Sequence, residues 1–206
     1  MKKVLLTLLI GLALGGYLYY RQLSTGPEYS LMQAAKAVHD HDPAAFERYV
    51  DVSSVTNSLV DDVTEQSSML GMLNPGGFAM KGALRLLKPQ IAKAARQEVQ
   101  RYVETGSVEA AVADASKQVV NVSLLGLAGK VVSKDSQFKG IKYTKEEGEQ
   151  ALVGLEFTQP RYDTTLVLEV KMLNKGDYWQ ATEITNTTDI LKHVTRMEKQ
   201  HLLGGQ

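Results

Sequence analysis

The sequence predicts an α+β protein: an N-terminal transmembrane helix, then a helical region packed on a C-terminal antiparallel β-meander of about four strands with a final helix. Three observations carry this prediction. An almost unbroken apolar run extends from Val4 to Tyr20. Apolar residues then recur at helical spacing to about residue 116, and after Phe138 they alternate with polar residues as in strands. Helices followed by a meander favour helices that cover one face of the sheet.

The apolar run predicts a membrane anchor at residues 1–21. As a helix it would span about 25 Å, close to the hydrocarbon thickness of a bilayer. Two lysines precede the run and Arg21 follows it, so the positive-inside rule places the N-terminus in the cytoplasm and the remaining chain outside. A cleaved signal peptide, giving a secreted product, is the alternative, because Ala13-Leu14-Gly15 resembles a cleavage site. The apolarity that continues to Tyr20 favours the uncleaved anchor.

The remaining chain is predicted to form one domain behind a short connector. Composition and breaks in the pattern set the boundaries. The predicted segments are a connector at 22–28, a helical region at 29–118, an uncertain connector at 119–137, and a sheet with a final helix at 138–200.

Local capping signals predict where several helices begin. Ser30 with Gln33 three residues later has the pattern of a capping box. Asp42 before Pro43 predicts the start of a second helix, and Asp51 that of a third. A long helix is predicted at 78–104, and Pro89 inside it predicts a kink or a split. A short helix follows from residue 108. The last predicted elements are strands at 138–145, 151–157, 166–172 and 178–185 and a final helix at 189–198.

Composition limits the chemistry that the chain can perform. The protein is formally neutral, with 23 basic and 23 acidic residues, whereas nucleic-acid binding needs a concentrated basic surface. The absence of cysteine excludes disulfides, thiolate metal sites and cysteine nucleophiles. The sequence has no Gly-x-Ser-x-Gly motif of a serine hydrolase. We therefore predict no enzyme, no cofactor, no catalytic residue and no nucleic-acid partner.

The densest group of metal-ligating residue types is His39-Asp40-His41-Asp42. On a helix, residues two apart point in different directions, so the two histidines would not share a face. The interpretation is a polar turn in which Asp42 caps the next helix, and no metal site is predicted. The basic side of the long helix is interpreted as a solvated face, with contact to anionic lipid as the alternative; its residues are Lys88, Lys93, Arg96 and Arg101.

The helical part resembles a bacterial family of exported, membrane-anchored proteins known only as a domain of unknown function. The resemblance covers about Tyr29–Val112. It rests on Tyr29 to Ala35, His41-Asp42, Phe46 to Asp51 and the turn Glu104-Thr105-Gly106-Ser107. The meander with Tyr178-Trp179 is similar to the sheet of small cystatin-like or NTF2-like exported domains, a likeness at the level of the fold. Neither resemblance implies catalytic residues.

These observations lead to a non-catalytic binding or interaction module of the bacterial cell envelope, held to the membrane by one helix. Its partner would be an unidentified envelope protein or a small apolar ligand. Phe157, Tyr162 and Trp179 are the candidate lining of a ligand pocket on the meander, with a place in the core as the alternative. An envelope enzyme, hydrolytic or metal-dependent, whose site forms only in three dimensions, and a purely structural tether are the other hypotheses.

Overall fold

Helices precede strands along the chain, as predicted. The structure, a computed structural model, describes residues 25–71, 77–113 and 135–203. The elements of these residues are α1 (Pro27–His39), α2 (Pro43–Tyr49), α3 (Val52–Gly71), α4 (Gly77–Thr105), α5 (Val108–Ala113), β1 (Phe138–Glu147), β2 (Gln150–Gln159), a 3₁₀ turn (Pro160–Tyr162), β3 (Thr164–Asn174), β4 (Trp179–Ile184) and α6 (Thr187–Leu203).

The four strands form an antiparallel meander in the order β1-β2-β3-β4. Short turns connect them, which is what antiparallel pairing permits. The β2–β3 register is regular throughout, from Gln150 opposite Leu173 to Gln159 opposite Thr164. Bulges interrupt the β1–β2 pairing near Lys139 and Lys142. The α+β class, the four-stranded sheet and the final helix are therefore confirmed.

One face of the sheet, here called the helix-covered face, holds the core. Because side chains alternate along a strand, the register places every second residue of β2 and β3 on this face. Helices α1 and α6 contact it through Leu31, Ile190 and Val194, and Val50 packs there from the end of α2. The buried side chains of the central cluster are Ala151, Val153, Val170, Met172, Trp179 and Ala181.

The opposite side of the sheet is here called the open face. Its β2 and β3 side chains include Leu152, Val167 and Leu173, each of which keeps intermediate exposure. On the helix-covered face, by contrast, Val153 of β2 and Met172 of β3 are fully buried. The contrast identifies the open face as the side of the sheet that the described helices leave accessible.

Two of the predicted caps begin helices as expected. The Asp42 side chain accepts a hydrogen bond from Ala45 N at 2.9 Å, and Asp51 accepts one from Ser54 N at the same distance. Ser107 Oγ likewise accepts from Ala110 N at 3.1 Å at the start of α5. These side chains satisfy amide groups that the first turn of a helix leaves without an intrahelical partner.

The capping box predicted at Ser30 is wrong. Helix α1 begins three residues earlier, at Pro27, with Gly26 at the cap position and no side-chain cap. Ser30 is fully buried, and its hydroxyl oxygen accepts a hydrogen bond of 2.9 Å from Trp179 N in β4. The serine therefore joins the first helix to the last strand.

The long helix α4 continues through Pro89 as one element, so the predicted split is not seen. No helix within residues 25–71, 77–113 and 135–203 is long and apolar enough to cross a membrane. The predicted anchor at residues 1–21 lies outside the described residues, as does most of the connector predicted at 119–137.

Candidate functional site

The open face carries a cluster of three polar side chains that come from β1, from β3 and from the residue after β4. Tyr143 Oη donates a 2.7 Å hydrogen bond to Glu169 Oε2, and Thr185 Oγ1 donates one of 2.5 Å to Glu169 Oε1. Glu169 comes from the middle of β3, Tyr143 from β1 and Thr185 from the end of β4. Both carboxylate oxygens of Glu169 are therefore held by donors.

The backbone fixes the carboxylate-bearing residue as well. Glu169 N donates to Asn186 Oδ1 at 2.9 Å, and Asn186 Nδ2 donates to Val167 O at 2.7 Å. Thr185 N donates to Glu169 O at 2.9 Å. The turn that follows β4 thus extends the pairing with β3 and positions the Thr185 hydroxyl beside the carboxylate.

Gly154 allows Tyr143 to cross the sheet. Gly154 lies in β2 between Tyr143 and Glu169 in the register. A Cβ atom at position 154 would lie 2.6 Å from Tyr143 Cε1, closer than real Cβ contacts come. The phenol ring therefore rests on a strand position that has no side chain, and this brings its hydroxyl to Glu169.

The electrostatics of the cluster favour a charged carboxylate and a neutral phenol. Hydrogen bonds from Thr185 and Tyr143 hold the pKa of Glu169 below its usual value, and Lys145 acts in the same direction. The same bond to Glu169, together with burial, raises the pKa of Tyr143. A raised pKa disfavours the phenolate that a nucleophile or general base requires. The tyrosine is suited to donate hydrogen bonds.

A shallow cavity of about 260 Å³ adjoins the cluster on the open face. Lys145, whose Nζ lies 5.1 Å from the centre of the Tyr143 ring, forms one wall, and Lys171 lies across from it. Lys171 Nζ is 3.6 Å from Glu183 Oε2. The two ammonium groups can donate hydrogen bonds to a polar or anionic group, whereas the Thr185 hydroxyl, whose proton is used on Glu169, can only accept one. The other lining residues are Glu147, Gln150, Ala151 and Leu152.

Comparison with known proteins assigns the family. A family model described as a protein of unknown function (DUF2939) matches residues 12–148, which is more than half of the chain. The chain belongs to the DUF2939 family. The resemblance of residues 29–112 predicted a family of unknown function, and the comparison confirms this. The match extends beyond these residues at both ends. No curated protein and no solved structure matches the chain.

The DUF2939 match includes only one member of the polar cluster. It covers the described helices α1 to α5 and strand β1, which contains Tyr143. Glu169 and Thr185 lie in β3 and after β4, beyond the matched residues. The cluster therefore joins the family region to the C-terminal part of the sheet.

The three residues predicted to line a pocket have different surroundings in this DUF2939 member. Trp179 is 5 % exposed in the central core cluster. Tyr162 packs against a second cluster formed by Leu166, Ile190 and Val194. Phe157 lies on the helix-covered face, with its ring centre 5.4 Å from that of Phe138. They belong to different packing groups, the cavity on the open face is lined by other residues, and their role as pocket lining stays a prediction.

The His39–Asp42 segment forms the turn between α1 and α2. His41 has a φ of 58°, and its Nδ1 donates a 2.8 Å hydrogen bond to Val103 O near the end of α4. His39 points elsewhere, to Asp40, with 3.1 Å between Nδ1 and Oδ1. No group of three metal-ligating side chains occurs in the described part of the chain. The two histidines therefore contact different groups, and the hydrogen bond of His41 connects the turn to α4.

The basic side of α4 is partly neutralised. Arg96 donates from Nε to Glu47 Oε1 at 2.8 Å and from Nη2 to Glu47 Oε2 at 2.5 Å, while Gln100 Nε2 donates to Oε1 at 2.7 Å. The Arg96 guanidinium lowers the pKa of Glu47. Lys88 pairs with Asp61 at 2.7 Å. These contacts attach α4 to α2 and α3, so part of the predicted basic surface is used within the fold.

Sequence reasoning missed the Tyr143–Glu169–Thr185 cluster. Period-two alternation in β3 does place Glu169 and Lys171 on the face opposite Leu168 and Val170. The bulges shift the register of β1 and thereby determine that Tyr143 faces the same way. A glycine inside an apolar strand, at position 154, was the available signal for a close approach.

We expect the stability of the protein to fall on acidification in part through Glu169. Because its folded-state pKa is below the usual 4.5, its contribution is present above about pH 4.5 and is lost as the pH falls through the folded-state pKa. Urea unfolding at pH values from 7 to 3 should give a stability difference between the protein and Glu169→Gln that shrinks with acid. Tyr143→Phe, which removes one donor, should reduce the pH dependence. A difference that stays constant over this range would contradict the assignment.

Proposed function

We propose that this DUF2939 protein is a single-pass, membrane-anchored protein of the bacterial cell envelope. Its extracytoplasmic domain binds an envelope component through the open face of the sheet and catalyses no reaction. The anchor rests on the apolar residues 1–21 and the lysines before them. The family match begins at residue 12, inside the apolar run, so part of that run belongs to the pattern that the family shares.

The observation that carries the binding role is the Tyr143–Glu169–Thr185 cluster beside the cavity. Each oxygen of its carboxylate accepts a hydrogen bond from one hydroxyl, and the phenol is kept protonated. Such groups hold one geometry and offer fixed contacts to a partner, with half-exposed Leu152 supplying apolar area beside them. The cystatin-like or NTF2-like relationship inferred from the meander is part of this proposal, since helices on one face of a four-stranded sheet agree with it.

Fractionation and protease protection test the location. Intact spheroplasts are treated with external protease, and an antibody follows the C-terminal tail. We expect full-length protein in the membrane pellet and loss of the tail epitope on protease treatment. A protected tail would contradict the outward orientation, and a shorter soluble product would show that the signal is cleaved.

Site-specific photocross-linking in cells tests the open face. A photoreactive amino acid replaces Leu152, which lines the cavity, and in a control replaces Lys192, which is exposed on α6. We expect an adduct of defined mass from position 152 and none of that mass from position 192. The Lys171→Glu change, which reverses a charge at the cavity, should lower the adduct yield. Equal adducts from both positions would count against binding at the open face.

A further inference from the structure

Strand β1 forms one edge of the sheet and exposes large apolar side chains. Among the described strands, in the order β1-β2-β3-β4, it has a neighbour on one side only. Phe138 is 57 % exposed and Ile141 is 37 % exposed, although both are apolar and only three residues apart. Most apolar side chains elsewhere in the sheet are buried or half-buried. This pair is apolar surface that the described fold leaves in contact with solvent.

Lysines accompany the apolar pair on the same strand. Lys139 lies between the two apolar residues and is exposed, and Lys142 follows directly. Lys142 Nζ contacts Glu156 Oε1 at 3.0 Å, yet its side chain remains 52 % exposed. The acidic residues of β1, Glu146 and Glu147, lie at the other end of the strand. Exposed aromatic and aliphatic groups beside lysines are typical of surfaces that enter the headgroup region of an anionic bilayer.

The start of the described chain lies against β1. Thr144 Oγ1 donates a 2.6 Å hydrogen bond to Glu28 Oε1 in the first turn of α1. Only four peptide units separate Arg21, the end of the predicted anchor, from Thr25. Even fully extended, they reach about 14 Å. If residues 1–21 are the anchor, the start of α1 and the strand beside it must stay close to the membrane surface.

We infer that the Phe138–Lys142 part of β1 docks on the anionic lipid surface of the bilayer that holds the anchor. This inference rests on the proposed anchoring. Phe138 and Ile141 insert at the level of the headgroups, and Lys139 and Lys142 pair with lipid phosphates. The short connector keeps the domain near the surface, and this part of β1 determines which side of the domain faces it. The cavity on the open face, beside Lys145 and Glu147 at the other end of β1, then remains available to a partner.

The absence of cysteine permits a direct test on the full chain. A single cysteine replaces Gln137, which is exposed next to β1, and a control cysteine replaces Lys175, which is exposed in the β3–β4 turn. Each carries a fluorophore, and the protein is reconstituted in vesicles of equimolar phosphatidylcholine and phosphatidylglycerol that contain a headgroup-linked quencher. We expect strong quenching at position 137, weak quenching at position 175, and a loss of the difference in vesicles of phosphatidylcholine alone.

Charge variants make the test quantitative. With the fluorophore again at position 137, Lys139→Gln together with Lys142→Gln should lower the docking equilibrium constant roughly thirtyfold in anionic vesicles. These changes leave the apolar contacts and the fold intact, which circular dichroism verifies. Equal quenching at positions 137 and 175, or quenching that does not depend on anionic lipid, would overturn the docking. Vesicle association that resists alkali would in that case still support the anchor. Alkali-extractable protein would overturn the anchor and the docking together.

Discussion

Replacing Met172 with alanine is expected to lower the free energy of unfolding by about 2–5 kcal/mol. Met172 is fully buried in the central core cluster, between Ala151 of β2 and Ala181 of β4 in the register. Its small neighbours leave the methionine to fill the space between sheet and helices, so truncation creates a cavity. Urea-induced unfolding followed by circular dichroism measures the change.

Leu173→Ala provides the matched control for Met172→Ala. Leu173 is the next residue of β3, lies on the open face and keeps intermediate exposure. Removal of its side chain should cost about 1 kcal/mol, because much of its surface already contacts water. Equal effects at positions 172 and 173 would contradict the assignment of the two faces.

The Gly154→Ala substitution is expected to displace Tyr143 and to break its hydrogen bond to Glu169. The new methyl carbon would lie 2.6 Å from Tyr143 Cε1, so the phenol ring must move. Loss of a partly buried hydrogen bond to a carboxylate should cost about 1–2 kcal/mol. Unfolding measurements give the stability, and the tyrosine ring resonances in nuclear magnetic resonance spectra report the displaced ring.

A double-mutant cycle separates this contact from the general effect of alanine in a strand. In a Tyr143→Ala background the ring is absent, so Gly154→Ala should be neutral or slightly stabilising, since glycine is unfavourable inside a strand. If Gly154→Ala destabilised the protein equally in both backgrounds, the position of the Tyr143 ring would not depend on the absence of a side chain at Gly154.

Local signals in the sequence were enough to predict most elements. Asp42 and Asp51 cap their helices with hydrogen bonds that span three residues, so each prediction needed only neighbouring residues. Alternation along β2 and β3 likewise predicted strands, because one face of the sheet is buried and the other is not. These features depend on contacts that are short in sequence.

Contacts between distant residues explain what the sequence could not predict. Ser30 has the residue type and spacing of a capping box, but its hydroxyl accepts from Trp179 N, 149 positions away. The Tyr143–Glu169 pair spans 26 positions and depends on a bulge near Lys142 that no local pattern indicated. Only the register of the folded sheet reveals such partners.

The bond between Ser30 and Trp179 has a consequence for the order in which the chain folds. During synthesis α1 emerges early, but the strand that satisfies its buried hydroxyl is made 149 residues later. Glu28 similarly awaits Thr144, 116 residues away. Closing loops of this length is entropically costly and slows folding. The helical half must therefore wait for the last strand, and an exported chain would complete its core only when almost all of it has been translocated.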